Sequence, residues 1–130
     1  MFIEEYFEQI RKAISACTAV ESFQLTEAKR DSYTGFFFFL VYFHDDSLLH
    51  VREFVYVITE IERDMYSYHY VDSSGNLIFR YDNAEHKPQL NLPNLPHHKH
   101  EESEQNIVAS AAPTLAEVLQ EVESVNFRSR

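Results

Sequence analysis

The sequence predicts an α+β fold in which a five-stranded antiparallel meander sheet is accompanied by an N-terminal and a C-terminal amphipathic helix. Apolar residues recur every three or four positions near both ends of the chain, which is the helical period. Between the helices stand short stretches of β-branched and aromatic residues, and the turns that separate them are too short to hold a helix, so consecutive strands run antiparallel. With 130 residues, 45% of them apolar, the chain is expected to form a single domain over 1–130.

Both helices are predicted from the spacing of their apolar residues. The first is expected over residues 1–20, with apolar positions at Ile3, Tyr6, Phe7, Ile10, Ile14 and Cys17. The second is expected over residues 113–126, because Thr114 and Glu117 have the spacing of a capping box. Its apolar stripe consists of Leu115, Val118, Leu119, Val122 and Val125. We assign both stripes to packing against the sheet.

The sheet is predicted over residues 21–82. Its five strands are expected at 22–29, 35–43, 48–60, 64–71 and 76–82. The second strand, GFFFFLVYF, is apolar on both of its faces, which indicates a central strand buried on both sides. We therefore expect a helix on one face of the sheet, and the second helix or another subunit on the other.

A long loop and an acidic segment are predicted over residues 83–112. Residues 83–100 contain three of the four prolines and show no hydrophobic period. Long loops inside compact domains are commonly functional or disordered. Residues 101–112 are first acidic and then small and polar, so this part is expected to be mobile.

The charge of the chain excludes the simplest class of nucleic-acid binder, a domain that is basic over its whole surface. The 21 acidic residues outnumber the 11 basic ones and give a formal charge of -10. Residues 80–100 differ from the rest, since three cations stand there against two carboxylates, a net charge of +1, together with four histidines. A phosphate-bearing substrate would therefore bind at this segment, where the field is locally positive.

The single cysteine and the absence of a long apolar run indicate where the protein resides. Cys17 cannot form an internal disulfide, which is typical of a reducing compartment, so we expect a cytoplasmic protein. No apolar run approaches the ~20 residues that a membrane-spanning helix needs, so no membrane interaction is expected.

Candidate catalytic residues lie on the fifth predicted strand and in the loop that follows it. Alternation places Arg80 and Asp82 on the same face of that strand, where His69 joins them if the neighbouring strand has the matching register. The loop then brings an unusual concentration of histidines. The full set of candidates is Arg80, Asp82, His86, His97, His98, Lys99 and His100.

These residue types leave three interpretations open. Two histidines could cleave RNA without a metal, one removing the proton of a ribose 2′-hydroxyl and the other protonating the leaving 5′-oxygen, while Lys99 or Arg80 stabilises the charge on the phosphate. A metal site is the second interpretation, with Asp82, His86 and one or two of the remaining histidines as ligands. The third is a solvated polar loop without chemistry.

A family resemblance rests on the same residues. The stretch LIFRYDNAEHKPQLNLPNLPHHKH, followed after an acidic gap by PTLAEVLQEV, resembles the TumE family of toxin–antitoxin proteins, best over residues 76–125. The resemblance implies a toxin that is neutralised by an antitoxin with a helix-turn-helix domain of the Xre type. It also carries over Asn83 and Pro96, which are expected to shape the loop.

We therefore expect a toxin that acts as a metal-independent endoribonuclease, with RNA as its substrate and no cofactor. Histidines 97, 98 and 100 would supply the acid and the base, Arg80 and Lys99 the positive charge, and Asp82 the orientation of a histidine. The alternatives are a metal-dependent nuclease that uses the same cluster, and a binding or regulatory module without enzymatic activity. Dimerisation is left open by the sequence.

Overall fold

The computed structural model describes residues 1–85 and 90–128, and these contain two helices and seven strands. In chain order the elements are α1 (Ile3–Ala16), β1 (Val20–Lys29), β2 (Thr34–Phe43), β3 (Leu48–Tyr56), β4 (Glu62–Val71), β5 (Leu77–Asp82), β6 (His98–Glu101), β7 (Ile107–Ala109) and α2 (Leu115–Arg128). The strands form one sheet in the order β1 to β7, and each pair of neighbours is antiparallel. Neither helix has the length and apolarity that crossing a bilayer requires, as far as the described residues go.

The α+β class, the antiparallel sheet and the two helices are confirmed, whereas the predicted number of five strands is wrong. Strands β6 and β7 lie within the segment 83–112, for which the sequence predicted a loop and a mobile stretch. Strand β6 reads HKHE, and its buried positions are the two histidines rather than apolar residues. A strand of this kind has no hydrophobic alternation by which it could be recognised.

Both helices pack on the same face of the sheet. The ring of Phe7 in α1 meets the ring of Phe37 edge-on, with centroids 6.1 Å apart. In α2, the side-chain amide of Asn126 donates a hydrogen bond of 3.1 Å to the hydroxyl of Tyr70, and the strand register places Tyr70 on the same side as Phe37. The buried strand residues beneath the helices include Phe37, Phe39, Val41, Phe43, Leu49, Val51, Val55, Tyr66, Tyr68, Tyr70 and Phe79.

A buried carboxyl group connects α1 to the centre of the sheet. Glu53 on β3 is 1% exposed and accepts hydrogen bonds from the hydroxyls of Tyr6 and Tyr68. Burial raises the pKa of Glu53, although the two hydroxyl donors partly oppose that effect. The polar group is therefore accommodated in the core by two partners that come from different elements.

The opposite side of the sheet is called here the open face, because no helix of the described residues covers it. Its residues on the three central strands are half-buried or exposed. They are Phe36, Phe38, Leu40 and Tyr42 on β2, Leu48, His50, Arg52 and Phe54 on β3, and Met65, Ser67 and His69 on β4. Of the two coverings expected for this face, the second helix is excluded because α2 shares the side of α1, whereas another subunit stays a prediction.

Gly35 lies at a close approach of α1 to β2, which leads to a test of the packing. A methyl group at this position would lie 2.7 Å from Cζ of Phe7 and 2.8 Å from Cγ1 of Ile3. We expect Gly35→Ala to lower the free energy of unfolding by about 1–3 kcal/mol, because the helix has to move away from the strand. Urea unfolding followed by circular dichroism measures this loss.

The matched control is Ser22→Ala, which changes an exposed residue of the neighbouring strand β1. Its effect should stay within about 0.5 kcal/mol. Equal stability of the Gly35→Ala and Ser22→Ala proteins would contradict the proposed contact.

Candidate functional site

Strand β5 carries the first two candidate residues. Its alternation turns Phe79 and Tyr81 toward the helices and Arg80 and Asp82 toward the open face. The sequence left open whether His69 joins Arg80, and the strand register answers this, because His69 on β4 stands opposite Arg80. Arg80 and His69 are thereby brought together.

Strand β6 adds two histidines on the other side of β5. His100 stands opposite Arg80, and His98 stands opposite Asp82. These four residues are called the Arg80 cluster below. Only Arg80 has an appreciably exposed side chain, 25%, against 8% for Asp82, 2% for His100 and 0% for His98.

Both ring nitrogens of His98 face hydrogen-bond acceptors. Its Nδ1 lies 2.8 Å from the carbonyl oxygen of Pro96, which can only accept, so Nδ1 carries a hydrogen. Its Nε2 lies 2.9 Å from Oδ1 of Asp82, and a carboxylate oxygen also only accepts. An imidazolium facing a carboxylate satisfies both contacts.

His100 has the opposite requirement. Its Nδ1 lies 2.8 Å from the carbonyl oxygen of Glu104, and its Nε2 lies 3.0 Å from Nη2 of Arg80, which can only donate. The second contact needs a neutral imidazole. Burial lowers the pKa of His100, and the nearby guanidinium of Arg80 acts in the same direction, so the neutral form is favoured.

Asp82 is held by three donors. Its Oδ1 accepts from His98 and, at 3.0 Å, from the backbone N–H of Ala84, while its Oδ2 accepts from Nε of Arg80 at 2.9 Å. A carboxylate engaged in this way is poorly placed to remove a proton from a substrate. Its role in the geometry is to orient Arg80 and His98.

Arg80 also forms an ion pair that reaches the surface. Its Nη1 lies 2.8 Å from Oε2 of Glu104, whose side chain is 49% exposed. Exposed ion pairs contribute only about 0–1 kcal/mol, so an incoming anion can replace this carboxylate at small cost. The guanidinium is therefore fixed from behind by Asp82 and His100 and can be reached by an anion from the front.

A cleft of about 430 Å³ opens on the open face beside Arg80. Clefts of this size are typical of small-molecule and nucleotide sites. The lining residues are Phe38, His50, Arg52, Met65, Tyr66, Ser67, His69, Arg80, Asp82, Asn83 and Ala84. His98 and His100 lie behind this lining.

Two further histidines face the cleft. The rings of His50 and His69 lie side by side on β3 and β4, with centroids 5.5 Å apart. Burial lowers the pKa of His50, and Arg52 contributes to the shift. Burial also lowers the pKa of His69, with smaller contributions from His50 and Arg80. Both rings are therefore mainly neutral, and able to accept a proton, near neutral pH.

The remaining candidates lie away from the Arg80 cluster. Lys99 points to the helix face, where its Nζ lies 3.2 Å from carboxylate oxygens of both Glu101 and Glu121. His97 stacks on Tyr66 and its Nδ1 lies 2.8 Å from that hydroxyl, beside a second depression of about 420 Å³. His86 lies outside the described residues.

The sequence left open whether Arg52 joins the site, and it did not single out His50. Alternation already places both on one face of β3. Which face that is, and which strand of the sheet stands next to β5, depends on the register of four strands. A signal was therefore present in the sequence, but it could not be used without the topology.

A metal ion is a second possible use of the Arg80 cluster. One ligand atom from each of Asp82, His98 and His100 lies within 4.8 Å of the others. Each histidine is oriented by a backbone carbonyl at Nδ1, as metal-binding histidines usually are. The guanidinium of Arg80 already donates hydrogen bonds to Oδ2 of Asp82 and Nε2 of His100, so a bound cation would have to displace it.

These features define a small α+β domain whose sheet presents an arginine, carboxylate and histidine cluster suited to an anionic substrate. A family model described as Toxin TumE matches residues 10–126, which is most of the chain. The chain belongs to the TumE toxin family, and the resemblance seen in the sequence is confirmed. Membership implies a toxin of a toxin–antitoxin system, with a cognate antitoxin as partner. No curated protein and no solved structure matches the chain.

The lowered pKa of His69 leads to a prediction about stability. A folded-state pKa below the ordinary value of 6.5 means that the unfolded chain binds a proton more readily than the folded protein. The resulting stability is complete above pH 6.5 and is lost as the pH falls through the folded-state pKa. We expect His69→Gln to reduce the decrease in unfolding free energy between pH 7 and pH 5, measured by urea titrations.

His44→Gln is the matched control, since His44 lies exposed in the turn between β2 and β3. It should leave the pH dependence as in the unmodified protein. An unchanged slope in the His69→Gln protein would show that the ring is not desolvated as described.

Proposed function

We propose that this toxin is an endoribonuclease that cleaves RNA at the cleft beside Arg80 without a metal ion. One observation carries the proposal: the guanidinium of Arg80 is fixed between Asp82 and His100 and presents its outer edge to a cleft in which His69 stands opposite. A fixed cation beside a neutral imidazole is a combination that can cleave a phosphodiester without a metal.

Arg80 is proposed to bind the phosphate and to stabilise the charge that develops on it in the transition state. Guanidinium groups suit this role, because they offer several donors in a plane. Asp82, His98 and His100 are then positioning residues. Asp82 and His100 hold Arg80 through hydrogen bonds of 2.9 and 3.0 Å, and His98 holds Asp82 at 2.9 Å. All three are almost completely buried and exclude water from the back of Arg80.

The histidine pair of the cleft is proposed to move the proton. His69 would accept the proton of a ribose 2′-hydroxyl while the 2′-oxygen attacks phosphorus and the bond to the 5′-oxygen breaks. The leaving 5′-oxygen then receives a proton from the pair, so His50 and His69 take up one proton and return one. The role that the sequence suggested for His97, His98 and His100 thereby passes to two histidines of the open face.

A metal-dependent nuclease is the second candidate. It is supported by the convergence of Asp82, His98 and His100, whose ligand atoms lie within 4.8 Å of one another. A carboxylate and two imidazoles suit a transition-metal ion. The metal-free arrangement is favoured because Arg80 already donates to Asp82 and His100.

The partner is proposed to be an antitoxin with an Xre-type helix-turn-helix domain. This proposal rests on the family resemblance, and the formal charge of -10 supports a partner with a basic surface. A neighbouring reading frame for such a protein, and copurification of its product with the toxin, would support the assignment.

The proposed chemistry predicts a large loss of activity in Arg80→Gln. Total RNA and a defined oligoribonucleotide are incubated with each protein in the presence and absence of a chelator. We expect a loss of roughly a hundredfold or more in the cleavage rate, because a preorganised donor to the phosphate is removed. The matched control Arg11→Gln removes an arginine from α1, on the far side of the sheet, and should leave the rate unchanged.

Cleavage that a chelator abolishes and added transition metal restores would contradict the metal-free reaction and support the second candidate. Cleavage of no RNA at all by the unmodified protein would leave a binding or regulatory module. Equal rates for the Arg80→Gln and Arg11→Gln proteins would exclude Arg80 from the site.

A further inference from the structure

We propose that the open face binds single-stranded RNA by stacking unpaired bases near Phe38 and Arg52, and that it leads the strand from there to Arg80. The inference rests on the proposed function for the identity of the ligand, and it adds the class of RNA and the surface that selects it. Four observations carry it: a row of side chains across the sheet, guanidinium groups placed over rings, the local charge, and the shape of the cleft.

The first observation is the strand register. Phe38 on β2 stands opposite Arg52 on β3, Arg52 opposite Ser67 on β4, and Ser67 opposite Asp82 on β5. Neighbouring strands are about 4.8 Å apart, so this row leads from an aromatic ring to the Arg80 cluster over roughly 14 Å. The small side chain of Ser67 leaves space in the middle of the row. A short extended strand can follow this path.

The second observation is the position of guanidinium groups over aromatic rings. Cζ of Arg52 lies 5.5 Å from the ring centroid of Phe38, and Cζ of Arg30 lies 5.8 Å from that of Phe54. Both rings are half-buried on the open face. Unpaired bases stack on phenyl rings and on guanidinium planes alike, and such stacking tolerates every base.

The third observation is the charge of the cleft. Among the described residues that line it, Arg52 and Arg80 are cationic and Asp82 is the only acid, while Glu104, which pairs with Arg80, lies outside the lining. Asp82 is itself engaged by Arg80 and by His98, so its charge is compensated. Several acids of the chain lie elsewhere, including Glu27 and Glu53, which the register directs to the helix face. The cleft is therefore a surface of this acidic chain that complements a phosphate backbone.

The fourth observation concerns shape. The cleft is a depression of about 430 Å³ in which Phe38 and Arg80 are half-buried and Arg52 is exposed. In a duplex the faces of the bases are stacked on one another and cannot contact Phe38, whereas a single strand can turn its bases outward. The geometry therefore favours unpaired RNA over duplex RNA.

Binding is tested with the full chain and a fluorescent 2′-O-methyl oligoribonucleotide, which lacks the nucleophilic hydroxyl and stays intact. Fluorescence anisotropy compares the single strand with the same strand annealed to its complement. We expect the single strand to bind more tightly, and we expect Phe38→Leu to weaken its binding roughly ten- to a hundredfold, as loss of a stacked ring does. Phe38→Tyr keeps a ring and should keep most of the affinity.

Tyr42→Leu is the matched control, because it removes an aromatic ring from the open face of the same strand but outside the cleft lining. Its affinity for the single strand should equal that of the unmodified protein, and urea unfolding confirms that the variants are folded.

Three outcomes would overturn the inference. Duplex RNA could bind as tightly as the single strand, or the Phe38→Leu and Tyr42→Leu proteins could have equal affinities. Alternatively, a second copy of the chain or the antitoxin could occupy the open face without competition from RNA. Failure of the proposed nuclease activity is distinguished from failure of base stacking, because cleavage is measured on unmodified RNA and binding on the 2′-O-methyl strand. Binding of the 2′-O-methyl strand that Phe38→Leu weakens, in a protein that cleaves nothing, supports the stacking surface and contradicts only the catalytic step.

Discussion

The antiparallel pairing of β5 with β6 is the constraint on which the candidate site depends. It places His100 beside Arg80 and His98 beside Asp82, and each histidine is then oriented by a backbone carbonyl near its own strand. Within the described residues no buried side-chain nitrogen or oxygen is left without a hydrogen-bond partner. A polar network that is satisfied throughout is rigid, and rigidity at the back of the guanidinium is what an anion site requires.

The charges of the Arg80 cluster explain how an acidic chain can receive a phosphate. Arg80 carries a fixed positive charge, Asp82 orients it, and the lowered pKa of His100 favours a neutral ring beside it. In the free protein this charge is met by Glu104, an exposed carboxylate that can leave. The excess acidic side chains lie outside the cleft, so local geometry rather than the net charge of the chain decides what binds there.

Much of the fold could be predicted because its signals are hydrophobic. The stripes of both helices and the aromatic alternation of β2 and β4 reflect burial against one core. β6 escaped prediction because its buried residues are histidines, whose burial depends on partners on β5 rather than on their own apolarity. The shared face of Arg80 and Asp82 followed from alternation alone. The participation of His50 and Arg52 did not, because it depends on the register of β2 to β5, which no local pattern encodes.

The shortness of the last two strands has a consequence for how the proposed site would be lost. β6 has four residues and β7 has three, and they form one end of the sheet, far from the helix-covered strands β2 and β3. Short terminal strands open more readily than a central core. Opening of this hairpin would release His98 and His100 and leave Arg80 without its fixed orientation, while the rest of the domain stays folded. Loss of the proposed site and unfolding of the domain would then be separate events.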